Sequence, residues 1–302
     1  MSETRTAEEE EGFVLVANSF HPLMARGDEL ARWAHDVRTS ILDRLSGPTL
    51  LTRGEQSNRT PAIPASEWGE SGEAKYFLDV RAWNRARSMP IAELSEDAWQ
   101  AALLRLRQGD VENLQLLFER LDAHGYPNHA LGTASLVIDI APPASDWAHE
   151  IAVVVSLPLF GGRVPVEAQR AFIAALRAAA HGLHLAAGYL TVDADSRPYE
   201  SRFRINPLEG RARCHDHVRG YYWGNVLTAP HVSQLGGVAR VASEAPCFSV
   251  ERWHSGTAYL QLTPDVNQIA DDELASLRSY LGPLLLPARA VRYNGPPLRV
   301  LD

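Results

Sequence analysis

Two β-branched runs, Ala134 to Ile140 and Ile151 to Leu157, joined by Ala-Pro-Pro-Ala-Ser-Asp, constrain the fold of this 302-residue chain more than any other feature. Runs of this length bounded by turn residues suit buried strands, because branched Cβ atoms pack well on a pleated surface. The proline-rich joint fits a long hairpin or a lobe boundary near 141–148. Further strand patterns fall at 13–17, 75–83, 188–193, 220–227, 247–253 and 257–262. Helical patterns lie between them. In the clearest, Asp28 to Leu45, residues Leu30, Trp33, Val37, Ile41 and Leu45 recur at three- and four-residue spacing, and Gly47-Pro48 ends the run. Others cover 96–107, 111–121, 165–182 and 271–281, with a short one from Thr228 to Leu235. Strand and helix do not alternate as regular βαβ units. The expected fold is therefore α+β, with mixed or antiparallel sheets and helices packed on one face. The strand–helix–strand order near the start is echoed from Ile151 to Val192, which predicts two pseudo-repeated lobes within one domain over 13–302.

Composition narrows the function. With 45% hydrophobic and 22% charged residues the chain belongs among ordinary globular proteins with a sizeable core. Two cysteines, Cys214 and Cys247, make no disulfide framework, and the acidic N-terminus lacks the apolar core of a signal peptide. A cytoplasmic protein with reduced thiols and no membrane span is expected. The net charge is -8, and five glutamates against one arginine put -4 of it in the first twelve residues. Such a tail has nothing to bury and is expected to be disordered. A chain that begins at Gly12 should therefore melt within about 4 °C of the full chain, which calorimetry checks. The acidic balance argues against nucleic acid and suits a basic protein partner. The segment Thr52 to Gly72, rich in Ser, Pro, Gly and charge, reads as a long loop.

Three groups of residues hold potential chemistry. Cys214-His-Asp-His217 brings together Cys214, His215 and His217, side chains that suit zinc, although a fragment without a second ligand pair fits a solvent-facing loop better. Asp193 and Asp195 leave a strand end on one side, where they would hold a divalent ion or divide acid and base roles; a turn-forming Asp-Ala-Asp is the simpler reading. Tyr199, Arg202 and Arg204 form an Arg/Tyr-rich stretch of the kind that anchors protein partners. No Gly-x-Ser-x-Gly elbow is present, neither cysteine sits in a catalytic signature, and no cofactor is implied.

The stretch Arg219-Gly-Tyr-Tyr-Trp-Gly-Asn-Val-Leu-Thr-Ala-Pro-His-Val-Ser-Gln-Leu-Gly-Gly237 is a glycine-framed aromatic strand, a proline-initiated helix and a double-glycine stop. Alternation sets Tyr221 and Trp223 on one face and Tyr222 on the other, so Trp223 is expected in the core and Tyr222 at an interface. With the strand Gly188-Tyr-Leu-Thr-Val-Asp193, this stretch resembles the type VI immunity-like family of bacterial toxin-immunity proteins. The resemblance spans Gly188 to Gly237 and has no counterpart before Ile151. It implies a non-enzymatic α+β protein that neutralises a cognate toxin by protein–protein occlusion, and it supplies no catalytic residues. Two other readings stand beside it. One is an enzyme or metal- or small-molecule-binding protein that uses Cys214, His215, His217 and the Asp193/Asp195 pair. The other is an assembly protein whose aromatic strand makes a homodimer.

Overall fold

The structure, a computed structural model, describes residues 12–46, 74–120, 132–142, 145–193 and 211–285. The acidic tail, the loop predicted at 52–72, and Asp195, Tyr199, Arg202 and Arg204 lie outside the described residues. The strands are β1 (Gly12–Ser19), β2 (Ala74–Arg81), β3 (Met89–Glu93), β4 (Asn113–Arg120), β5 (Thr133–Asp139), β6 (His149–Ser156), β7 (Ala187–Asp193), β8 (Gly224–Leu227), β9 (Ser249–Arg252) and β10 (Ala258–Gln261). They form one open sheet in the order β3-β2-β4-β5-β6-β1-β7-β8-β10-β9, and every pairing is antiparallel. The fold is α+β, as the pattern predicts.

β1 lies inside the sheet between β6 and β7, with Leu15 opposite both Val153 and Leu190. All eight of its residues are buried, which a strand with neighbours on both sides and cover on both faces requires. The joint at 141–148 connects β5 and β6, which pair from Ala134↔Val155 to Asp139↔Glu150, so its ends belong to a hairpin in the continuous sheet.

The main helices are α1 (Gly27–Val37), α2 (Glu96–Gln108) and α3 (Val166–Gly182), followed by the short α4 (Ala229–Gln234) and α5 (Val238–Glu244) and by α6 (Asp271–Leu281). α1 runs through a π-helical turn at Arg38–Leu42 into a last turn at Asp43–Ser46. Phe13, Leu15 and Ala17 of β1 share the main core with Leu30 and Trp33 of α1, Trp99 of α2, and Phe172 and Leu176 of α3, so these helices cover one sheet face. The opposite face has a small cluster of Val14, Val16, Tyr189 and Tyr222. Trp33 Nε1 donates to the Ala175 carbonyl at 2.9 Å and fixes α1 against α3. α2 is set by Ser95 at its N-cap, by Glu96 and Asp97 in its first turn, and by Gly109 in the left-handed region at φ 68°.

The structure corrects several local expectations. The helix expected over 111–121 is not formed in its described part: β4 occupies 113–120, with Leu114, Leu116 and Phe118 buried at period two. Leu117 on the other face adds helix-like spacing to the sequence, but pairing with both β2 and β5 supplies the backbone hydrogen bonds that decide the outcome. β3 and α5 were not predicted. The aromatic strand expected at 220–227 is paired only over Gly224–Leu227, and Tyr221 to Trp223 lead into it as a buried irregular segment.

Candidate functional site

One end of the sheet brings together segments far apart in sequence. β1 and β8 end there, at Ser19 and Leu227, and β7 and β10 begin there, at Ala187 and Ala258, because adjacent antiparallel strands reverse direction. The junction is stitched by hydrogen bonds. Ala186 N–H donates to Asn18 O at 2.7 Å, Ser19 Oγ donates to the carbonyls of Leu183 and His184, and Thr228 Oγ1 donates to Ala186 O at 3.1 Å. The result is a cleft of about 250 Å³, whose lining includes Phe20, His21, His184, His215, Thr228 and His254.

The cleft is an imidazole site. His21 and His184 have ring centroids 5.0 Å apart, His181 and His254 are 5.6 Å apart, and His215 meets Phe20 edge-on at 6.4 Å. His184 follows the end of α3 at φ 49°, a left-handed conformation that disfavours every side chain but glycine's missing one, and one more common at functional sites. Burial holds the His184 imidazole below its usual pKa, and the charges of Arg26, His21 and His254 push the same way. Arg26 Nη1 donates to the Gly182 carbonyl at 3.0 Å and occupies the C-terminal end of α3.

The residues singled out in the sequence do not assemble into one centre. Cys214 is buried, its Sγ donates to Arg211 O at 3.3 Å, and burial pushes its thiol up to about 12, so it stays protonated and a poor ligand. His215 faces the cleft with Nδ1 at 2.7 Å from Asp216, whereas His217 lies against the Arg213 guanidinium. Among the described residues no three His, Cys, Asp or Glu side chains are placed to hold a metal ion. Asp193 ends β7 opposite Gly12, and Asp139 pairs with Arg211. Tyr222 is 2% exposed and stacks on Tyr189 with centroids 4.0 Å apart, so the expectation that it presents itself to a partner is corrected. The face alternation holds, but the opposite face is itself covered at this point. Trp223 is in the core, as predicted.

His231 is a residue that the sequence reading missed. It stands at the third position of α4, where Nδ1 accepts from Thr228 N–H at 3.2 Å and completes a reciprocal cap with the Thr228 side chain. The signal was Thr228-Ala-Pro-His231, a capping box with an imidazole in place of the usual Glu or Gln. Burial pushes the His231 pKa down to about 4. Its folded-state pKa lies below the unfolded value of about 6.5, so its contribution is complete above pH 6.5 and is lost as pH falls toward 4. The loss amounts to about 3 kcal/mol. His231→Gln retains a cap acceptor without the titration, and urea unfolding of the variant at pH 7 and pH 4.5 should show a correspondingly smaller acid destabilisation than wild type.

No protein-family model matches this chain, and no curated protein matches it. Among solved structures it is similar to a Pseudomonas aeruginosa T6SS protein, PA0821, with a TM-score of 0.50 and 11% identity over 95% of this chain and 77% of that one. The likeness extends the shared fold across nearly the whole chain, including the half before Ile151, where the sequence shows no resemblance.

Proposed function

We propose that this chain is a type VI-associated immunity protein that binds a cognate bacterial toxin in the cytoplasm and neutralises it by occlusion. The observation that carries this reading is the fold shared over 95% of the chain with a protein named for the type VI system. A second observation agrees with it. The two sequence segments that resemble toxin-immunity proteins are adjacent strands, β7 and β8, paired at Gly188↔Val226, Tyr189↔Asn225 and Leu190↔Gly224, so the resemblance describes one piece of tertiary structure. Occlusion asks for a rigid surface with anchor residues and no reacting group. A broad antiparallel sheet backed by helices provides the rigidity, and Tyr199, Arg202 and Arg204 provide the partner contacts. Affinity capture of the tagged chain from its native cell should return one stoichiometric protein partner, identified by mass spectrometry and reconstituted from purified components. A chain that is captured and purifies alone under those conditions contradicts the proposal.

A further inference from the structure

The imidazole cleft has a size and a charge pattern that select its occupant. At about 250 Å³ it lies below the range of roughly 300–1,000 Å³ typical of small-molecule pockets and fits a single side chain. Its walls come from four separate segments: His21 after β1, His184 after α3, His215 in the turn at 214–217, and His254 in the turn before β10. Around them stand Arg26 and His181 on the cationic side, and Glu29 and Asp216 on the acidic side. Asp216 is already engaged by His215 at 2.7 Å, and Glu29 lies beside Gly182 at the end of α3. Four imidazoles therefore line the cleft, with His181 and the Arg26 guanidinium beside them and two carboxylates nearby, on a chain whose net charge is -8.

We propose that this cleft is a docking pocket for a carboxylate side chain of the protein partner, held by hydrogen bonds from His21, His184, His215 and His254, with Phe20 packing on its edge. The inference rests on the partner-binding reading above and adds the chemistry of one contact. Imidazole is the side chain whose charge changes between pH 5 and 8, and a protonated ring donates from both nitrogens. A carboxylate entering the cleft favours that form, and charge-assisted bonds of this kind are stronger than neutral ones. Burial is the main cause that holds the His184 pKa down, and the charges of Arg26, His21 and His254 add to it, a part that an anion bound beside the ring would offset. Its left-handed backbone agrees with a positioned group: glycine adopts φ 49° freely, yet the chain places an imidazole there, directed into the cleft. The acidic body of the protein draws in a basic partner at long range, and this pocket fixes register at short range.

The test uses the full chain and a capped, fluorescein-labelled octapeptide of alternating Glu and Gly, with the matching Gln peptide as control, in low salt by fluorescence anisotropy. Because the chain is acidic, the Glu peptide binds only if it meets a local cationic site. The expected result at pH 6.0 is binding at least tenfold tighter for the Glu peptide than for the Gln peptide, falling at least fivefold at pH 7.5. His184→Ala combined with His254→Ala should remove at least fivefold of the affinity at pH 6.0. His184→Gly relieves the backbone strain, so it should keep or raise the melting temperature while weakening binding. Equal binding of the two peptides at pH 6.0, or a double variant that binds as wild type does, overturns the proposal. Either failure would leave the capture experiment above unaffected, and a failed capture would leave the peptide result standing.

Discussion

Trp223→Ala is expected to destabilise the protein by about 3–5 kcal/mol, as truncation of a fully buried Trp does. The indole is 0% exposed, stands 6.0 Å from the ring of Phe13 on the central strand, and donates from Nε1 to Thr263 O at 2.9 Å. Removal leaves a cavity under β1 and takes from the Thr263 carbonyl one of its two donors, Gln261 Nε2 at 2.9 Å being the other, so the cavity carries most of the cost. Trp223→Phe keeps most of the volume and should cost less. Tyr222→Ala should also destabilise, by about 3 kcal/mol, because Tyr222 is buried against Tyr189 on the opposite face. Urea unfolding checks all three, and a Trp223→Ala protein within 1 kcal/mol of wild type would mean that the side chain does not pack as described.

Gly27→Ala sets two physical effects against each other. Gly27 is the first residue of α1 with φ -58°, an ordinary helical value, so helix propensity alone favours Ala by up to about 1 kcal/mol. Packing says the reverse. A Cβ at Gly27 would lie 2.4 Å from Leu106 O and 2.6 Å from Arg107 Cα, both backbone atoms near the end of α2. Backbone cannot swing aside as a side chain tip can, so α1 and α2 must separate and disturb the packing of Trp33 and Trp99 in the core beneath. Steric cost wins, and a net loss of about 2–3 kcal/mol is expected from the unfolding midpoint. A stabilised variant would show that the two helices do not approach so closely.

The parts of the fold that were legible in the sequence are those with a one-dimensional cause. The all-buried β1, the β5 and β6 runs, the stripe of Leu30, Trp33 and Val37, and the double-glycine stop at Gly236 and Gly237 (φ 89° and 97°) each follow from local patterning. β4 did not, because Leu117 beside Leu116 and Phe118 gives helical and extended spacing at once, and only its two neighbouring strands choose between them. The π-helical turn at Arg38–Leu42 leaves no mark in a pattern that continues smoothly through Ile41. The cleft was illegible for a different reason. His21, His181 with His184, His215 and His254 occupy four separate segments, and the order β1-β7-β8-β10 in the sheet is what gathers them. Sequence reading weighed Cys214, His215 and His217 together because they are adjacent in the chain, whereas the fold buries Cys214 and turns His215 to the cleft.

The claim that this chain protects its cell by binding a toxin is tested most directly by deleting it and placing the deletion strain in contact with its parent. The parent, with an active type VI system, is expected to kill the deletion strain on a solid surface, a secretion-deficient parent is not, and plasmid-borne expression of this chain should restore survival. Equal survival of the deletion strain beside both parents, with the secretion system shown to be firing, would contradict it.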